Sequence, residues 1–253
     1  MTGAPAVQGP HRPYDLAGRT VVVIGGSAGI GLETARRVRA DGGQLILVGR
    51  DPERLRQAAS ALEPLATAAF DAERHRAAEA VLRGPSRTGR PCDGHRRGPF
   101  YMPLADMDPT VAGDHMGERL AMTLAVGLYS RDKVRAGGTL LFVGGTGGRR
   151  PGIGMSVASA LTAALPALVA NLALELAPVR VNLIAAGFVD TPLSATLLDD
   201  QLESRREELR ATLPIRRVVG LADVAALAVH IMVNDALTGG TYDIDGGQQL
   251  VAR

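Results

Sequence analysis

Thr20-Val-Val-Val-Ile-Gly-Gly-Ser-Ala-Gly-Ile-Gly-Leu32 decides how the rest of the chain is read. Thr20 to Ile24 is a β-branched run closed by Gly25-Gly26, which suits a strand buried on both faces. From about Ile30 to Ala40 the pattern turns helical, with Leu32, Ala35 and Val38 on one side and Arg36, Arg37 and Arg39 on the other. Gly25, Gly29 and Gly31 lie between the two, spaced G-x-x-x-G-x-G. Glycines at such a junction let the backbone turn sharply. The helix N-terminus that follows presents unpaired N–H groups and a partial positive charge. Gly25, Ser27, Ala28, Gly29, Ile30 and Gly31 therefore form the predicted cradle for a pyrophosphate. A glycine-rich turn with no ligand is the alternative, and the strand–turn–helix context favours the cradle.

Outward from this unit the alternation continues. Gln44 to Val48 reads as a strand, Asp51 to Leu62 as a helix, Ala66 to Phe70 as a weaker strand and Asp71 to Leu82 as a helix. Gly138 to Val143 and Arg180 to Ile184 are further strands, separated by a long apolar helix over about Met155 to Ala177. Ala222 to Val233 is helical, and Thr241 to Asp245 is a last strand before Gly246-Gly247. Strands alternating with helices of ten or more residues predict an α/β fold, a single Rossmann-type doubly wound parallel sheet with helices on both faces. Residues 1–15 read as a poorly ordered leader and 16–253 as one domain.

One segment departs from the pattern. Residues 84–98 fall where another buried strand is due, yet they contain no Val, Ile, Leu or Phe and carry Arg87, Arg90, Arg96 and Arg97. Unpartnered guanidinium groups in a sheet centre would cost several kcal/mol each. Either a loop replaces the strand or a short shift of reading frame ends near Gly98. Codons for Gly89 to Arg97 read one base later yield Val-Val-Leu-Val-Thr-Ala-Thr-Gly.

Composition narrows the function. The 253 residues carry a formal net charge of +2, 21% charged residues and 3% aromatics, with no tryptophan. No nucleic-acid partner is expected from that balance. No apolar run reaches the roughly 18 residues of a membrane span, so no membrane partner is expected. The N-terminus lacks an apolar signal core, which makes a cytoplasmic location the default. Cys92 is the one cysteine, and His11, His75, His95, His115 and His230 share no ligand spacing, so no metal is expected. Lys133 is the only lysine, which limits any lysine-dependent chemistry to that position.

The Gly25/Gly29/Gly31 spacing resembles the short-chain dehydrogenase/reductase superfamily. So do Asp71 after the third strand, Leu172-Ala-Leu-Glu-Leu-Ala177, Val181-Asn182, Ala186-Gly187-Phe-Val-Asp-Thr191, Asp223-Val-Ala225, Thr238-Gly239 and Asp245-Gly-Gly247. The resemblance runs from about residue 16 to the C-terminus and implies a nicotinamide dinucleotide. It places Asp71 on the adenine, and Gly187, Val189 and Thr191 near the nicotinamide. Where NAD users carry an acid at the end of the second strand, this chain has Gly49 and Arg50. A guanidinium pairs with a 2′-phosphate, so NADP(H) is the expected cofactor. The alternative for Arg50 is a solvated arginine paired with Asp51 or Glu53.

The family's catalytic serine, tyrosine and lysine have no clear counterparts. Tyr129-Ser-Arg-Asp-Lys133 has the Tyr-x-x-x-Lys spacing but precedes its strand instead of following it, on the wrong side of the sheet for ligands. Anchored on Glu175, the tyrosine position falls on Ala158, the lysine position on Thr162 and the serine position on Gly145. The family's Pro-Gly turn has Ala186 for proline, and its asparagine has no counterpart between Asp114 and Arg135. Thr146, Ser156 and Ser159 are the nearest hydroxyls, with Thr146 and Ser156 the weak catalytic candidates; Arg149 and Arg150 are placed to polarise a carbonyl. Three readings stay open: an NADP(H)-dependent oxidoreductase acting on a small-molecule carbonyl or alcohol, an NADPH-binding pseudoenzyme or sensor, and a non-redox cyclase or dehydratase. Ser194 to Arg210 either covers the substrate or is a solvated face, and Pro99 to Pro103 either lines a pocket mouth or packs. A homo-dimer or homo-tetramer is expected, with Leu161, Leu165, Leu168 and Leu172 either facing a partner or packing on the sheet.

Overall fold

The computed structural model describes residues 15–69 and 100–251. The elements run β1 (Thr20–Ile24), α1 (Gly29–Ala40), β2 (Gln44–Gly49), α2 (Pro52–Leu62) and β3 (Ala66–Ala69). After residue 100 come α3 (Pro109–Ser130), β4 (Thr139–Gly145), α4 (Ser156–Glu175) and β5 (Arg180–Ala186). The chain closes with α5 (Pro192–Leu198), α6 (Leu202–Thr212), α7 (Leu221–Val233) and β6 (Thr241–Ile244). The helix expected over Asp71 to Leu82 and the anomalous residues 84–98 lie outside the described residues.

All strand pairs are parallel, as expected for an α/β fold. β1, β2 and β3 form one three-stranded sheet and β4, β5 and β6 another. Pairing is in register: Val22 sits opposite Ile46 in the first half, and Leu141 opposite Asn182 in the second. These are the parallel strands and covering helices of the Rossmann-like α/β fold expected from sequence. Among the described residues β1 pairs with β2 alone, and there Val22 is 43% exposed and Ile24 38%. β5, flanked on both sides, is buried at every position.

The helices join the halves. Ala35 and Val38 of α1 share a core with Leu45 and Leu47 of β2 and with Val229 of α7. Ile30, on the same helix, packs into the second core beside Ile184, Val224, Ala228 and Ile231. Burying such aliphatic side chains contributes roughly 1.5–3 kcal/mol each before the ordering cost. On the other face, Val169 and Leu172 of α4 are buried against Leu140, Val181 and Leu183. Leu165 and Leu168 pack on that core and Leu161 on a smaller one, while Leu174 of the same helix is exposed. α4 is long and apolar enough to cross a membrane by length and composition. Of its residues Val157, Ala158, Val169 and Leu172 are buried.

Local chemistry fixes the element ends. Asp51 caps α2 by accepting from the Glu53 and Arg54 N–H groups at 2.9 and 3.1 Å, and Pro52 opens the helix. Asp108 does the same for α3, accepting from Thr110 and Val111. Arg180 opens β5 as a buried cation and donates to the Ile231, Met232, Asn234 and Leu237 carbonyls, at 2.9–3.1 Å. These are the open carbonyls at and beyond the end of α7, where a positive charge also meets the negative end of the helix dipole.

Candidate functional site

The carboxyl ends of β1, β2, β4 and β5 border one cleft, where ligands of open parallel sheets bind. Among the described residues its lining also follows β1 and β4.

The glycine turn forms its floor. The Gly25 and Gly26 N–H groups donate to Val48 O at 2.9 and 3.0 Å, fastening the turn to β2. A Cβ on Gly31 would lie 2.3 Å from Gly25 O, so the turn and the first coil of α1 meet in a gap that only hydrogen fills. Ala28, which precedes α1, carries no group to cap it. The first-turn amides therefore open toward the cleft, the arrangement an anionic ligand completes. Ser27 packs on the end of β2, its Oγ 2.7 Å from where a Gly49 Cβ would stand. That contact sets Arg50, exposed and on the cleft wall, beside the turn. Asp51 pairs with Arg54 and Glu53 with Arg56, and Asp51 and Arg54 line the cleft with Arg50.

The opposite wall comes from the loop after β5. Gly187 is pressed against Asp245 and Gln248, where an added Cβ would stand 2.5 Å from the Asp245 Cβ. Phe188 N–H donates to Gln248 Oε1 at 2.9 Å, and Val189 is buried with a bridge to Val219. Thr191 caps α5, its Oγ1 accepting from Ser194 N–H at 3.0 Å. Gly187, Val189 and Thr191 all face the cleft. α6 is held over it by Arg206, whose guanidinium donates to both Asp190 carboxylate oxygens at 2.8 and 3.0 Å. Arg205 lies over the Phe188 ring at 5.9 Å.

Gly145, Ala158 and Thr162, the positions expected from sequence to stand for the family's serine, tyrosine and lysine, lie together. A Cβ on Gly145 would touch Thr162 Cγ2 at 3.4 Å, and Thr162 Oγ1 bonds Ala158 O at 3.0 Å one turn earlier. All three line the cleft. The Thr162 hydroxyl also approaches Ser159 O at 3.1 Å, and the Ser159 hydroxyl donates to Gly147 O at 3.0 Å. Both are held by helix and loop carbonyls. Thr146 reaches the cleft but is only 5% exposed. Ser156 is exposed in the first turn of α4 and does not line the cleft, so the structure does not bring it to Thr146. Arg149 is drawn away into a bidentate pair with Asp243, and Arg150 donates to the Gln248 carbonyl.

Tyr129 is on α3 and Lys133 at the amino end of β4, remote from Gly145, as their order in the chain implies. Asp71, the expected adenine contact, lies outside the described residues. Of the Pro99 to Pro103 stretch, Phe100 and Tyr101 line the cleft. Of the tyrosines among the described residues Tyr101 is the one on the cleft wall, and burial pushes its phenol above the usual value. Tyr101 follows the buried Phe100 and is itself 51% exposed.

A family model described as enoyl-(acyl carrier protein) reductase matches residues 25–249. The chain belongs to the short-chain dehydrogenase/reductase superfamily. Dehydrogenase/reductase SDR family member 4 of Sus scrofa is 28% identical over 258 residues, covering 96% of this chain and 91% of the relative. The structure of the MalC reductase/Diels-Alderase from Malbranchea aurantiaca superposes with a TM-score of 0.80 at 22% identity, covering 94% of this chain and all of that one. An NADPH-bound short-chain oxidoreductase of Pseudomonas aeruginosa PAO1, described as containing an atypical catalytic centre, gives 0.75 at 24% identity, covering 93% and 98%. The superfamily's members are oxidoreductases on a Rossmann-like α/β fold, and this chain shares that fold.

Proposed function

We propose that the protein is an NADP(H)-dependent oxidoreductase acting on a carbonyl or alcohol carbon of a small molecule. Arg50 carries the reading: a guanidinium at the carboxyl end of β2, set beside the glycine turn by the Ser27–Gly49 contact. The turn fits a dinucleotide, since its amides are uncapped and its floor excludes even a methyl group. Gly25 to Gly31 would hold the pyrophosphate, Arg50 the 2′-phosphate, and Gly187, Val189 and Thr191 the nicotinamide end. The resemblance adds Asp71 at the adenine. When bound, the nicotinamide supplies or takes up the hydride. The Pseudomonas neighbour with NADPH supports the choice of cofactor.

The reaction centre sets the rate. Ala158 offers a methyl group and Thr162 a committed hydroxyl where a tuned acid and a cation would stand. Proton exchange then falls to water or to the Tyr101 phenol on the cleft wall, whose pKa burial raises above the usual value. Lack of a positioned acid costs about 100- to 10,000-fold in rate. The same two positions favour a second reading, an NADPH-binding pseudoenzyme or sensor. NADPH fluorescence followed by turnover on a carbonyl panel separates them. The oxidoreductase reading expects binding with slow turnover, raised about 100-fold or more by Ala158→Tyr with Thr162→Lys. Binding with no turnover in either protein supports the pseudoenzyme, and no binding contradicts both. Leu124, Leu128 and Leu174 remain exposed on α3 and α4, a face for the proposed homo-dimer or homo-tetramer.

A further inference from the structure

Pro192-Leu-Ser-Ala-Thr-Leu-Leu198, the sequence of α5, divides by chemistry. Its hydroxyls turn back on the chain: Ser194 donates to Thr191 O at 2.8 Å and Thr196 to Pro192 O at 3.0 Å. Its leucines are left for the cleft. Leu193 and Leu197, four residues apart and so on one side of the helix, stand 48% and 46% exposed. Both line the cleft, as does Leu198. None of the three joins the apolar cores formed among the described residues. Thr191 caps α5, so this apolar surface begins where the proposed nicotinamide loop ends.

The surroundings have the same character. Phe188 from the loop after β5, Leu209 and Leu213 from the end of α6 and just beyond it, and Val251 line the cleft with the α5 leucines. The polar groups at this end are committed. The Thr212 hydroxyl donates to Glu208 O at 2.8 Å, and Gln248 Oε1 accepts from Phe188 N–H at 2.9 Å. Arg205 pairs with Glu208 at 2.6 Å and Arg206 with Asp190 at 2.8 Å, so each of these cations is matched by an acid. Ser194, Thr196 and Thr212 each have a single hydroxyl proton, and each gives it to the main chain. A sugar or a carboxylate lodged here would leave water without a replacement partner, and each hydrogen bond lost that way weakens binding about tenfold. An alkyl or aryl surface suffers no such loss, and each methylene it buries strengthens binding about fourfold.

We infer that Leu193 and Leu197 set the substrate specificity, and that the substrate is an uncharged ketone, aldehyde or alcohol with an extended apolar body. Sugars, phosphorylated compounds and keto acids are disfavoured by the same surface. The inference rests on the proposed oxidoreductase reading, which puts the reacting carbon at the nicotinamide end of the cleft; the apolar body then lies along α5.

Calorimetric titration with methyl ketones of increasing length, from pentanone to nonanone, tests this on the unmodified protein, without nucleotide and again with saturating NADPH. Affinity should rise about fourfold per added methylene, and fructose and α-ketoglutarate should give no heat over the same range. Leu193→Asn with Leu197→Asn should flatten the series to less than about 1.5-fold per methylene, and the milder Leu193→Ala with Leu197→Ala should flatten it partway. A flat series in the unmodified protein, an equally steep one in both double variants, or tighter binding of fructose or α-ketoglutarate than of nonanone would overturn the assignment. The two readings fail separately. A chain-length series without NADPH binding contradicts the oxidoreductase and keeps the apolar pocket; NADPH binding with a flat series does the reverse.

Discussion

A methyl group on Gly31 would lie 2.3 Å from the Gly25 carbonyl oxygen, and Ser27 leans on Gly49 one strand away. Those contacts put a cation next to a bare set of amides, and they were legible in sequence because glycine spacing is a steric requirement. Arg50 follows from the same corner. Replacing it by alanine should weaken NADPH binding about 10- to 100-fold, the worth of a charge-assisted contact to a phosphate, and leave NADH binding within about threefold. Parallel calorimetric titrations of the Arg50→Ala protein check this; equal losses for both nucleotides would remove Arg50 from the 2′-phosphate. Hydroxyls were less legible. Ser156 and Thr162 look alike in a sequence, but one points into solvent and the other bonds its own helix. For Pro99 to Pro103 the sequence left a pocket mouth or packing open, and the structure gives both: Phe100 is buried and Tyr101 stands half exposed on the cleft wall.

Elements were read correctly where their ends carry chemistry. Asp51-Pro52 opens α2 where an N-cap and proline predict it. β4 and β5 run on to Gly145 and Ala186, further than Val143 and Ile184, because small residues continue the ladder without marking it. Arg180 is the element-scale counterpart of a cap, and nothing in its local sequence announces it. Arg180→Leu should cost about 3 kcal/mol or more in urea unfolding, since several carbonyls at and beyond the end of α7 lose their donor in a buried place. A loss below about 1 kcal/mol would show that water replaces the guanidinium.

The Arg149–Asp243 pair fastens the loop after β4 to β6. Arg149, helped by Gln249, holds the Asp243 carboxyl below the usual carboxylate range, and Arg217 does the same for Asp223 at the start of α7. An unfolded carboxylate protonates near pH 4, above these folded groups, so the unfolded chain binds more protons on acidification. The contribution is full above about pH 4 and is lost as pH falls through the depressed folded values. Arg149→Ala should therefore lower stability by about 1 kcal/mol or less at neutral pH, given the exposure of the pair. It should also flatten the acid limb of a melting-temperature profile. An acid limb unchanged from the parent would contradict the assignment.

At the scale of the whole molecule, the alternation of strands and helices disclosed a parallel α/β fold, and the ordered motifs from Gly25 to Asp245 disclosed the superfamily. Periodicity marks a strand as apolar without saying how far each of its residues is covered: Val22 and Ile24 read as buried and, among the described residues, are 43% and 38% exposed. The cleft draws on both halves, the glycine turn and Arg50 from one and Gly145, Gly187 and Val189 from the other. A single dinucleotide spanning them is the account's central claim. Calorimetric titration of the unmodified protein with NADPH and with NADH tests it most directly. The account predicts one site per chain, with NADPH bound at least about tenfold more tightly; no heat with either nucleotide, or tighter binding of NADH, would contradict it.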